Sequence, residues 1–251
     1  MDRPRPAPDP TPTAITRPAP PSWVVRLARQ WRHRQLLKLA GICAFTALFF
    51  VGYFHLLRNP PSPPRPVPLM PLDHWFGYQP LAVWPYVSLW IYVGVAPALL
   101  PSAGALLRYG AWMAALCGCG LALFAAWPTA LPPGWAPQPT PGQAAEALLR
   151  GLDAPGNACP SMHVACALFS ALWVHRLLAA FCAPAWPRAL NAAWLTAIVW
   201  STLALRQHVV LDVLAGAALG LAFGLAALRW GPRPTEPAPA GGWPAADGRR
   251  L

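Results

Sequence analysis

The chain has 251 residues, 56% of them hydrophobic and only 11% charged, with a formal net charge of +11. Soluble domains run at roughly 45–50% apolar, so a water-soluble enzyme core is excluded. Nucleic-acid binding is excluded with it: seven of the 19 Lys and Arg residues precede the first apolar run and Lys38 lies at its start, and they are not interleaved with aromatics on a soluble module. What remains is an all-α integral membrane protein with a single membrane domain.

Residues 1–35 are basic and rich in Pro and Ala. They read as a disordered cytoplasmic tail to about Pro21, followed over Ser22–Arg34 by a basic amphipathic helix on the inner membrane surface. This is not a signal peptide, because the apolar run after it is too long and lacks a small-residue cleavage site. The membrane domain occupies residues 36–230. Six apolar runs are predicted as spans: Leu36–Leu57, Leu81–Leu100, Tyr109–Trp127, Ser161–Cys182, Trp186–Leu205 and Val209–Leu228, each near the ~20 residues a bilayer-crossing helix needs. The loop Pro128–Pro160 is Pro-rich and contains a short interfacial helix over Ala144–Leu152, with Glu146 and Arg150. Residues 231–251 form a second disordered tail.

Charge sets the orientation. With the N-terminus inside, fifteen Lys and Arg fall on the inner side, and only Arg58, Arg65, Arg150 and Arg206 fall outside. Both termini are then cytoplasmic, as in a multi-pass protein of a bacterial inner membrane. The inner basic cluster faces anionic lipid headgroups. Cys43, Cys117, Cys119, Cys166 and Cys182 lie in or beside apolar runs, where Cys packs as a small hydrophobe. Cys117-Gly118-Cys119 lacks the spacing of a zinc site. His33, His55, His74 and His175 are scattered across both sides. No metal and no cofactor is expected.

Two stretches carry chemistry. Asn157-Ala158-Cys159-Pro160-Ser161-Met162-His163 closes the long loop and opens the fourth run. Pro160 suits a first helical position. The N–H groups of Ser161, Met162 and His163 are then expected to point out of a helix N-terminus, where anions bind. His208 and Asp212, four apart, share one helix face at the start of the sixth run. Asp212 lies among apolar residues, where ionisable groups are costly and mark function. The inferred topology brings both stretches to the outer face. Two helix N-termini, two imidazoles, one carboxylate and Arg206 make an expected phosphate pocket.

Pro160-Ser161-x-His163 followed by Ser201-x6-His208-x3-Asp212 resembles the type-2 phosphatidic acid phosphatase superfamily. The fuller pattern, Asn157 to Ala165 with Arg206-Gln207-His208-x3-Asp212, resembles its inositol phosphorylceramide synthase-like branch, which includes lipid phosphatases and phosphotransferases. The resemblance implies a six-transmembrane-helix bundle. It also implies a metal-independent phosphoric ester hydrolase or phosphotransferase acting on a lipid phosphate at the outer leaflet.

On this reading His208 is the nucleophile that forms a phosphohistidine. Asp212 fixes its tautomer, and His163 is the general acid and then base. Ser161, Met162 and Arg206 hold phosphate oxygens. Asp73, Asn157, Asp153 and Ser201 surround these residues; Asp73 reads equally as a supporting residue or a helix cap, and Asp153 and Asn157 chiefly as turn formers.

The chain departs from the superfamily pattern at Thr202, where an Arg is usual and for which Arg206 stands in. Arg58-x6-Arg65-Pro66, the nearest match to an upstream Lys-x6-Arg-Pro motif, is read as composition. Asp73, Pro80, Pro85 and Tyr86 resemble a further motif of the branch, with Gly77 and Tyr78 in place of its Pro and Phe. Competing readings are a sphingolipid-synthase-like phosphoalcohol transferase and, outside enzymes, a membrane carrier or haem protein.

Overall fold

The computed structural model describes residues 22–135 and 156–230. Among these residues it contains seven α-helices: α1 Trp23–Arg32, α2 Gln35–Arg58, α3 Val83–Ala98, α4 Ala103–Ala126, α5 Met162–Ala180, α6 Ala185–Ala204 and α7 Val210–Trp230. The expected tails, the Ala144–Leu152 helix and Asp153 lie outside the described residues.

Local chemistry sets the helix ends. The Ser22 hydroxyl oxygen caps α1 by accepting from the Val25 N–H at 3.5 Å, and that of Ser102 caps α4 by accepting from Ala105 N–H at 3.1 Å. The Ser102 cap starts α4 six residues before the expected Tyr109, so Arg108 lies within the helix. A 3₁₀ turn, Pro80–Ala82, leads into α3. Pro160 is not the first helical residue, as expected from the sequence. It follows a cis Cys159–Pro160 peptide and precedes Ser161, the residue that caps α5.

Five helices, α2 to α5 and α7, are long and apolar enough to cross a membrane, α3 counted with its leading turn. The expectation of six spans is met only to that extent. Helix α6 has the length, at 20 residues, but Arg188, Asn191 and three tryptophans lower its hydropathy. Asn191 is nevertheless buried and satisfied: its Nδ2 donates to the Ala171 carbonyl at 3.0 Å and its Oδ1 accepts from Tyr92 Oη–H at 2.8 Å. One amide thus ties α6 to α5 and α3.

Helix α5 is the central element, packed against α3, α4, α6 and α7. Ala165, Ala167, Phe169, Trp173 and Leu177 on it are fully enclosed. Its approach to α7 depends on Gly216, Gly220 and Gly224, spaced four apart on one face of α7. A Cβ at Gly216 would strike the Ser161 carbonyl, and one at Gly220 would lie 2.5 Å from the Ala165 carbonyl oxygen. Small residues at this spacing let membrane helices come into backbone contact.

The starts of α3, α5 and α7 and the ends of α4 and α6 meet at one end of the bundle. There Gln79 N–H donates to the Ala204 carbonyl at 2.9 Å and Ser161 N–H to the Asp212 carbonyl at 3.0 Å. Two short strands, β1 Arg65–Pro66 and β2 Thr129–Ala130, pair in parallel, with a bridge from Ala130 to Gly156. At the opposite end Lys38 is buried, and its Nζ donates to the Gln30 carbonyl at 2.8 Å and the Ala98 carbonyl at 2.6 Å. This cation straps α1 and the end of α3 to the start of α2.

Candidate active site

His163 is the second residue of α5, and His208 lies two residues before α7. The close α5–α7 packing brings their rings to 5.7 Å between centroids, edge to face at 60°. His163 is also stacked on Tyr86 at 4.6 Å and meets Trp90 edge-on at 5.8 Å. Tyr86 and Trp90 are four apart on α3, so both rings face the same way. That spacing was available in the sequence, but only contact with α5 gives it meaning.

His208 is buried, and neither ring nitrogen has a hydrogen-bond partner among the described residues. Its Nδ1 lies 3.4 Å from Asp212 Oδ2, one helical turn on. That is ion-pair range without hydrogen-bond alignment. Asp212 is fully enclosed; its Oδ2 accepts from Val209 N–H at 3.1 Å, and its Oδ1 is unpartnered. An unsatisfied buried polar atom costs roughly 1–3 kcal/mol, so three of them gathered at one point call for an explanation.

Asp73 unites the two roles considered for it. Its Oδ1 accepts from Val210 N–H at 2.7 Å, capping α7 from 137 positions away, while its Oδ2 accepts from Met70 N–H at 2.6 Å. The helix ends therefore differ from expectation. At α7 Asp212 accepts from the N–H of Val209, just before the helix, and Asp73 from that of Val210, its first residue. Ser161 N–H is likewise spent on the Asp212 carbonyl. The N–H of Met162 remains in the first turn of α5, where no intrahelical acceptor reaches.

Ser161 is fully enclosed, and its Oγ accepts from Val164 N–H at 3.4 Å. Ser201 donates its hydroxyl to the Ile198 carbonyl at 2.6 Å. Thr202 donates to the Val199 carbonyl at 2.8 Å, and its own carbonyl accepts from Gln207 N–H at 3.0 Å and His208 N–H at 3.2 Å. Thr202 thus shapes the turn that presents His208. Arg206 sits in that turn with φ 54°, its guanidinium 4.9 Å over the Trp135 ring and its Nε unpartnered. Trp135 belongs to one apolar cluster with Ala158 and Val209. Nothing in the sequence linked Trp135 to Arg206.

Asn157 lies in the left-handed region at φ 52°, and its Nδ2 donates to the Tyr53 carbonyl at 3.0 Å. Cys159 is held in place by Thr129, whose Oγ1 accepts from Cys159 N–H at 2.9 Å and donates to the Cys159 carbonyl at 3.2 Å. Burial, reinforced by the nearby Asp212 carboxylate, pushes the Cys159 thiol up to about 11.

An apolar cleft of about 870 Å³ opens beside the two imidazoles, with Asn157, Met162, His163 and His208 among its lining residues. The site therefore combines a buried imidazole, an adjacent carboxylate, a second imidazole and a helix N-terminus at the mouth of a hydrocarbon-lined space. A family model described as the PAP2 superfamily matches residues 105–236. No curated protein and no solved structure matches the chain.

Proposed function

Because the chain belongs to the PAP2 superfamily, we propose that it is a membrane phosphoesterase or phosphotransferase that cleaves lipid phosphate esters through a phosphohistidine at His208. One observation carries this reading: His208 is buried with both ring nitrogens unpartnered, between Asp212 at 3.4 Å and the His163 ring at 5.7 Å. A phosphoryl group supplies the partner that these nitrogens lack.

His208 attacks phosphorus through Nε2 while the Asp212 carboxylate accepts a hydrogen bond from Nδ1–H and balances the charge that grows on the ring. His163 gives its proton to the departing ester oxygen as the P–O bond breaks. In the second step His163 removes a proton from the accepting hydroxyl, which attacks phosphorus and breaks the P–N bond. The Met162 N–H and Arg206 stabilise the phosphoryl oxygens throughout. The imidazoles touch edge to face, so the phosphoryl group enters by parting them; rotamer changes of this kind are common on binding.

The site lies at the bundle end opposite α1. The excess of Lys and Arg around α1 supports a cytoplasmic α1 end and a site in the exterior leaflet, a reading that takes α6 as a sixth crossing and α1 as lying along the inner surface. Water or an alcohol serves equally well as acceptor in the second step, and the synthase-like branch corresponds to the alcohol.

The test is turnover of a radiolabelled lipid phosphate by the purified protein, comparing parent with His208→Ala. Activity is expected in the parent only, resistant to chelator and blocked by vanadate, which adopts five-coordinate geometry. Activity that needs an added divalent ion, or that survives His208→Ala, refutes this mechanism.

A further inference from the structure

We infer that the apolar cleft receives the hydrocarbon tail of the phosphate ester, and that it admits a tail long enough to pass the bilayer midplane. This rests on the phosphoesterase reading and adds a substrate class to it. The cleft starts at His163 and His208 and is walled by α2, α3, α4 and α5. Its lining runs along α2 from Phe54 to Leu37 and along α4 from Cys117 to Ala103, roughly 25 Å and 21 Å at the ~1.5 Å rise per residue of a helix. One leaflet's hydrocarbon is about 15 Å deep, half of a ~30 Å core. The cleft is thus longer than a leaflet.

The occupant follows from the mouth. A phosphate held between the two imidazoles places whatever is esterified to it at the open end of an apolar slot. The far end lies by Leu37 and Pro97, beside the Lys38 strap that joins the ends of α1 and α3 to α2. Two glycines line the lower slot, and a Cβ at Gly41 or at Gly110 would meet no heavy atom within 4 Å, so a larger side chain has room to project there. Helices α2 and α3, which wall much of the slot, precede the segment that the family model matches, residues 105–236. Bilayer tails are as apolar as the slot, so entry is not driven by the hydrophobic effect. Selection comes from fit, because unfilled space forfeits dispersion contacts and a blocked slot expels a long tail.

The experiment measures alcohol released from hexyl phosphate and from docosyl phosphate in phospholipid vesicles by the parent, Gly110→Leu and Gly41→Leu. Alcohol release reports the first step whichever acceptor follows. Gly110 lies about 15 Å along α4 from Gly120 at the site end, and Gly41 about 18 Å along α2 from Tyr53, at ~1.5 Å per residue; a hexyl tail reaches neither. The ratio of kcat/KM for docosyl over hexyl phosphate is expected to fall at least tenfold in each variant, with hexyl cleavage retained. An unchanged ratio in both variants, or equal losses on both substrates in both, overturns the tail assignment while leaving the phosphoesterase reading standing. Release of neither alcohol by the parent removes that reading and the tail assignment together.

Discussion

Replacing Gly220 by Ala tests whether α5–α7 contact sets the spacing of the two imidazoles. The added Cβ would lie 2.5 Å from the Ala165 carbonyl oxygen, 3.0 Å from its Cα and 3.1 Å from its carbonyl carbon, all backbone atoms that no side-chain rotation can remove. Ordinary contact needs about 3.4–4 Å, so the helices must part by about 1 Å. Because His163 rides on α5 and His208 is fixed to α7 through Asp212, that displacement falls directly between them. A misplacement of about 1 Å costs on the order of 10²-fold in rate, and overpacking costs about 1–3 kcal/mol in stability. The assay is kcat/KM for a lipid phosphate in vesicles, alongside a thermal melt. Gly118→Ala on α4, where a Cβ would meet nothing within 4 Å, serves as the control and is expected to match the parent. A folded Gly220→Ala protein within about 2-fold of parental activity would refute the claim that this contact positions the site.

Asp212→Asn keeps an acceptor for Val209 N–H but removes the charge beside His208; kcat is expected to fall about 10²–10⁴-fold with KM nearly unchanged, and steady-state kinetics decide it. Asp73→Ala uncaps α7 and leaves Val210 N–H buried without its partner, a loss of about 2 kcal/mol, or roughly 4–8 °C in Tm; a melt within 1 °C of the parent's would contradict the cap. Cys159, with its thiol pushed up to about 11, holds about 10⁻³ of its thiol as thiolate at pH 8, against about a quarter for a free cysteine. Its alkylation should run about 10²-fold slower than that of a free cysteine and accelerate as pH rises toward 11. Mass spectrometry of the Cys159 peptide across pH measures this.

His163, His208 and Asp212 stand out in the sequence because one helix start and one i to i+4 pair are local patterns, whereas the meeting of the two imidazoles depends on how closely α5 and α7 pack. What the sequence hid was long-range or backbone in nature. Nothing near Asp73 reveals that its carboxylate caps a helix 137 positions on. Ser161 N–H looked available for an anion because the carbonyl that takes it belongs to Asp212 on another helix. Helix α6 was placed within a residue of its true bounds, yet its hydropathy is low because Asn191 serves the interior. Lys38 was counted only as one basic residue of a cluster, since its acceptors, Gln30 and Ala98, are backbone carbonyls without sequence signature. Trp135 and the Tyr86–Trp90 pair acquire their roles only from the elements that fold onto them.

The most direct measurement is to locate the covalent intermediate. The protein is incubated with a lipid phosphate, quenched within a turnover under alkaline conditions that preserve phosphohistidine, digested, and the peptide spanning residues 207–229 is weighed and sequenced. A phosphoryl group on His208 is expected in the parent and none in His208→Ala. A phosphoryl group on another side chain, or full turnover by His208→Ala, would contradict a nucleophilic His208.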